Sequence, residues 1–101
     1  MPDAAPPARP QAAATVQMDD ARLRATRYDF APGAETGWHV HGMEYVVVTL
    51  TDCDFLLELP GGEQRRSLVP AGTTYSRPKG TEHNVVNGGD RHMAFVEIEL
   101  K

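Results

Sequence analysis

From Thr15 onward the chain is cut by Gly, Pro and Asp into short extended segments, and nothing in it reads as a long helix. Val16 and Met18 alternate with polar neighbours before an Asp19-Asp20 turn, and Leu23, Ala25, Tyr28 and Phe30 lie in a second extended stretch that ends at Ala31-Pro32-Gly33. Tyr45 to Thr51 is dominated by the β-branched Val46, Val47, Val48 and Thr49, which suits a strand covered on both faces. Cys53, Phe55, Leu57 and Leu59 share one face of the next strand, and Pro60-Gly61-Gly62-Glu63 closes a hairpin onto Arg65 to Val69. A turn at Pro70-Ala71-Gly72 leads to a short strand at Thr73 to Ser76. Near the C-terminus Ala94, Val96, Ile98 and Leu100 alternate with Phe95, Glu97 and Glu99, giving one apolar and one partly charged face. This succession predicts an all-β sandwich or barrel with little or no helix.

A length of 101 residues allows one domain with a small core, which a partner subunit would enlarge, so a homodimer is expected. Residues 1–14 are Pro, Ala and a few polar side chains with no apolar signal core, and they read as a flexible arm ahead of a domain spanning 15–101. The net charge of -4 comes without long blocks of one sign, so no basic stripe invites nucleic acid or an anionic membrane. No apolar run approaches the ~18 residues of a membrane span. The single cysteine, Cys53, excludes an internal disulfide framework and Cys-rich zinc patterns, in keeping with a reducing cytoplasm.

Two spaced motifs carry the chemistry. The first is Gly33, five residues, His39, Val40, His41, two residues, Glu44. The second is Gly72, five residues, Pro78, one residue, Gly80, two residues, His83, three residues, Asn87. Together they resemble the two signature motifs of the cupin superfamily over about Tyr28 to Lys101. The resemblance implies a double-stranded β-helix, the jelly-roll barrel, holding one divalent metal ion on His39, His41, Glu44 and His83. The family generally has three or four residues between its second His and the Glu, whereas here Gly42 and Met43 are the only two. Counted back from the turn after the Val-rich strand, Glu44 takes the family position, with a shortened bend before it.

The spacing has a geometric rationale. Residues two apart on a strand point the same way, about 6.6 Å apart along it, so His39 and His41 can face one ion. The Pro78-to-Gly80 turn positions the strand that carries His83. Three imidazoles and one carboxylate suit Fe, Ni, Mn, Cu or Zn without choosing among them. In the family, such small members include dioxygenases that cleave C–C bonds, and also isomerases, lyases and decarboxylases. A metal-dependent enzyme acting on a small oxygenated organic acid or ketone is therefore expected, a dioxygenase first, with Glu44 completing the shell or acting as base. A binding or sensor module without turnover keeps the same fold and metal, and a closed structural zinc site is a third reading.

Around this centre, Met43, Tyr45, Phe55 and Tyr75 are candidates to line a substrate pocket, and Arg77 and Arg27 to meet an anionic group. Trp38 is expected to face away from the site, His92 to be a solvated loop residue, and Cys53 to behave as a small buried hydrophobe. Gly72, Pro78, Gly80 and Asn87 are expected to shape turns and not to do chemistry.

Overall fold

The computed structural model describes residues 8–101. Nine strands and one 3-10 turn at Pro60–Gly62 make up its regular structure, and no α-helix occurs among the described residues. A hairpin of β1 (Ala13–Asp19) and β2 (Leu23–Phe30) comes first, followed by the two-residue β3 (His39–Val40) and the Val-rich β4 (Tyr45–Thr49). Next are β5 (Cys53–Glu58) and β6 (Gln64–Val69), then β7 (Thr74–Arg77), β8 (Glu82–Asn87) and β9 (Met93–Leu100). A five-stranded sheet in the order β1-β2-β9-β4-β7 faces a four-stranded sheet in the order β3-β8-β5-β6, with every strand pair antiparallel. Two facing sheets with these non-sequential neighbours form the double-stranded β-helix.

The core lies between the sheets, around Phe30, Tyr45, Val47, Cys53, Phe55 and Met93. Phe95 links them: it stacks on Tyr28 and Phe30, with centroids 5.4 and 5.5 Å away, and meets Phe55 edge-on at 5.6 Å. The pleat of β9 has one outcome of consequence for the site. Its inward face carries Met93, Phe95 and Glu97, all buried, whereas Val96 and Ile98 point outward and are half-buried. The face with charge is the inner one, because the register opposite Thr26 and Val47 leaves Glu97 no other direction.

Of the Pro/Ala-rich stretch read as an arm, residues 1–7 lie outside the described residues. From Pro10 on, the backbone is docked: Glu35 N donates to Pro10 O at 2.9 Å and Ala12 N to Glu35 O at 2.8 Å. Ala12 is buried and Ala13 already belongs to β1. Small side chains let this segment lie flat against the barrel, which composition alone does not reveal.

Candidate metal centre

The Pro78-Lys79-Gly80 turn builds one wall of the site. Gly80 has φ +91°, a left-handed conformation that favours glycine. Its N–H donates to His41 O at 2.8 Å, while His41 N donates to Thr81 O at 2.8 Å. This clamp fixes His41 just past β3. Two residues beyond Thr81, His83 sits on β8 directly opposite His39 in register.

The three imidazoles converge. Nε2 of His39 and Nε2 of His41 are 2.9 Å apart, Nε2 of His41 and Nε2 of His83 are 3.1 Å apart, and the three donor atoms all lie within 4.8 Å of one another. Two nitrogens each ~2.1 Å from one ion and at right angles to each other stand ~3.0 Å apart, so the spacing fits a shared divalent ion. His39 shows the polarity a ligand needs. Its Nδ1 lies 2.8 Å from the Gly37 carbonyl, which can only accept, so Nδ1 carries the proton and Nε2 presents its lone pair. His41 and His83 are buried, and that burial, reinforced by neighbouring His39, pulls both pKa values down to about 4. Both rings are thus neutral at physiological pH, the form that binds metal.

A hydrogen-bonded chain holds the loop before His39. Gly37 N donates to Asn84 Oδ1 at 2.9 Å, and Asn84 Nδ2 donates to Glu35 Oε1 at 2.9 Å and Glu58 Oε1 at 2.8 Å. Arg9 Nη1 closes the circuit on the same two carboxylates at 3.1 and 2.8 Å.

Glu44 is not brought to the histidines. It is exposed, and its part in the fold is the carbonyl that accepts Leu100 N at 2.8 Å. The reason is parity. Tyr45 faces inward and lies on the His41 ring, centroids 3.8 Å apart and planes 18° from parallel, so the residue before it turns away. With three residues counted after His41, the family spacing lands on Tyr45.

The carboxylate beside the cluster is Glu97, which the sequence reading did not single out. Its Oε1 lies 3.9 Å from His41 Nδ1, a polar contact longer than a hydrogen bond. Burial, then the nearby charge of Glu99, raises its pKa to about 7. A signal for it was present: Glu97 shares the parity of Phe95, a large aromatic side chain that gains most from the core.

Two cavities flank the cluster. One of about 270 Å³ reaches His83 and is walled by Tyr45, Phe55 and Tyr75, with Glu97 on its lining. The other, about 360 Å³, touches His39 and His41 and again Glu97. Met43 lines neither, because the bend at Gly42-Met43 interrupts the alternation that would have turned it inward. A separate cavity of about 430 Å³ at the far end of β5 contains none of the histidines.

Arg77 lines the His83 cavity, whereas Arg27 binds Asp29 through two contacts of 3.0 and 3.1 Å on the outer surface. Trp38 is exposed and donates to Glu82 Oε2 at 2.9 Å. His92 is on the surface, 2.9 Å from Asp29 Oδ1. Cys53 is buried as a free thiol, with its pKa raised by burial. Asn87 is buried and donates to Arg91 O at 2.7 Å while accepting Gly89 N at 3.0 Å, which shapes the turn after β8.

A family model described as a cupin domain matches residues 26–99. The beta-alanine degradation protein BauB of Pseudomonas aeruginosa is 54% identical over 93 residues, covering 92% of this chain and 97% of that protein. A crystal structure of a cupin domain from Bordetella pertussis Tohama I superposes with a TM-score of 0.90 at 49% identity, covering 95% of this chain and 99% of that one. The polyketide cyclase RemF from Streptomyces resistomycificus shares the fold at a TM-score of 0.71 and 23% identity, covering 91% of this chain and 68% of that one.

Proposed function

The chain belongs to the cupin family, and from that premise we propose that it is a metal-dependent enzyme acting on a small oxygenated organic acid or ketone, with a dioxygenase as the favoured subclass. One observation carries the reading: three imidazole Nε2 atoms meet between two cavities, with the tautomer of His39 set by the Gly37 carbonyl. In this reading His39, His41 and His83 hold one divalent ion of iron, nickel, manganese, copper or zinc. With three protein donors, coordination positions are left for substrate, and the ion supplies Lewis acidity or, if redox active, access to dioxygen.

The remaining work falls to side chains. Glu97 lines both cavities beside His41 and takes the base role first assigned to Glu44: it is placed to accept or return a proton at a carbon next to the bound oxygen function. Tyr45, Phe55 and Val85 exclude water around it. BauB carries β-alanine degradation in its name, and that setting favours a short-chain carboxylic acid substituted at its β-carbon.

The partner is read as a second copy. Val46, Val48, Val96 and Ile98 pair across β4 and β9 on the outer face of the larger sheet, forming a half-buried apolar patch suited to dimer contact. The free buried thiol of Cys53 suits a cytoplasmic setting.

The deciding experiment is metal analysis of protein purified without added metal, beside a His39→Ala, His41→Ala double variant, followed by an oxygen-consumption screen with β-keto acids and diketones. About one equivalent of metal in the parent, none in the variant, and oxygen uptake abolished by His83→Ala is the expected result. Metal with saturable ligand binding and no product favours the sensor reading, and no metal in either protein overturns the enzyme.

A further inference from the structure

We propose that the cavity beside His83 is built for an anion, a small carboxylate held by Arg77 with Arg65 across the mouth. The inference rests on the reading of that cavity as a substrate site and narrows its ligand from acids and ketones to acids.

Strand register places both guanidinium groups. On the larger sheet Arg77 pairs opposite Tyr45, and Tyr75 opposite Val47. Tyr45 and Val47 are buried and inward, and directly opposed residues share a face, so Arg77 and Tyr75 also face the cavity. The Arg77 guanidinium lies over the Tyr75 ring, with Cζ 5.6 Å from the centroid, which anchors the stem and orients its planar fork. On the smaller sheet Arg65 pairs opposite Leu57, and both line the same cavity. The two arginines therefore reach one space from two different sheets.

The charge balance supports an anion. The charged groups on this lining are Arg65, Arg77 and Glu97, so even a fully ionised Glu97 leaves the wall net positive with the histidine neutral. Arg65 meets Glu63 only at 3.8 Å, with both side chains about two-thirds exposed. Among the described residues Arg77 belongs to no ion pair. A guanidinium without a carboxylate, held on an aromatic ring at a cavity wall, presents the fork that receives a carboxylate through two parallel hydrogen bonds. The volume of about 270 Å³ limits the ligand to a few carbons between that carboxylate and the group that approaches the histidines.

The test compares acetoacetate with 4-hydroxybutan-2-one, a neutral ketone of similar size, by calorimetric titration of the parent and of Arg77→Gln, Arg77→Lys and Arg65→Gln, with metal content measured on the same samples. The parent is expected to prefer acetoacetate by about tenfold or more. Arg77→Gln should reduce the preference to about twofold or less, Arg65→Gln should weaken it partially, and Arg77→Lys should restore part of it. Equal affinity for the two compounds, a preference that survives Arg77→Gln, or no binding of acetoacetate overturns the inference. Metal-loaded protein without the preference sinks the anion site alone. Metal-free protein that retains an Arg77-dependent preference sinks the metalloenzyme reading and leaves the anion site standing.

Discussion

Tyr45 lies face to face with His41, ring centroids 3.8 Å apart, at the first position of β4, where the alternation of buried and half-buried residues begins. The stack positions the imidazole from one side while the Gly80 clamp holds its backbone from the other. Tyr45→Ala should cost about 3–4 kcal/mol from cavity formation in denaturant unfolding, and should weaken metal binding by releasing His41. Tyr45→Glu places a carboxylate on the inner face and should tighten metal binding while lowering turnover, which competition with a chelator and steady-state rates would separate.

Glu44→Gln is expected to leave metal stoichiometry unchanged and stability within about 0.5 kcal/mol, since the side chain is exposed. Loss of the metal in this variant would show that the carboxylate reaches the ion in solution.

Asn84 ties the loop before His39 to Glu35, Glu58 and Arg9. Asn84→Ala should lower metal affinity about 10- to 100-fold, as expected for loss of an outer-shell support. The electronic spectrum of the Co(II)-loaded protein should shift as well, a readout that simple destabilisation would not move. Asn84→Asp should be worse, because it sets a third carboxylate beside Glu35 and Glu58.

For the metal-free protein the pH dependence can be signed. His41 and His83 fall from 6.5 to about 4 on folding, so below pH 6.5 the unfolded chain takes up two protons that the fold refuses, and stability falls with acidification. Glu97 runs the other way: its pKa rises from 4.5 to about 7, so its contribution is present below pH 4.5 and lost as pH rises through 7. Between pH 6.5 and 4.5 the balance is about one proton, a loss of about 2–3 kcal/mol. Thermal unfolding of chelated protein should therefore peak near pH 6.5, and Glu97→Gln should steepen the acid limb.

Ile98→Glu on the outer face should yield a monomer by light scattering while leaving metal content intact, since Ile98 points away from the histidines. A parent already monomeric at micromolar concentration would refute the dimer.

The period-two spacing of Val16 and Met18, of Cys53 and Phe55 and of Phe95 and Glu97, together with the Gly and Pro breaks, determined an all-β sandwich or barrel, and the resemblance of the two motifs to the cupin signatures selected the double-stranded β-helix. The spacing of His39 and His41 likewise turns both imidazoles to one side, because residues two apart on a strand share a face, whereas His83 was picked out by the resemblance of its motif to the second cupin signature. What the sequence left open were choices between equivalent patterns. Which face of β9 points inward depends on pairing with β2 and β4, and only that register buries Glu97 and turns Val96 and Ile98 outward. Whether Glu44 or Tyr45 enters the site depends on the bend at Gly42-Met43, where strand alternation does not hold. The docking of Pro10 to Ala12 and the bond from Arg9 to Glu58 join segments distant in the chain, so local propensity carries no trace of them. Local pattern encodes periodicity and turns; the direction of each face and the partners of each charge follow from packing one sheet against the other.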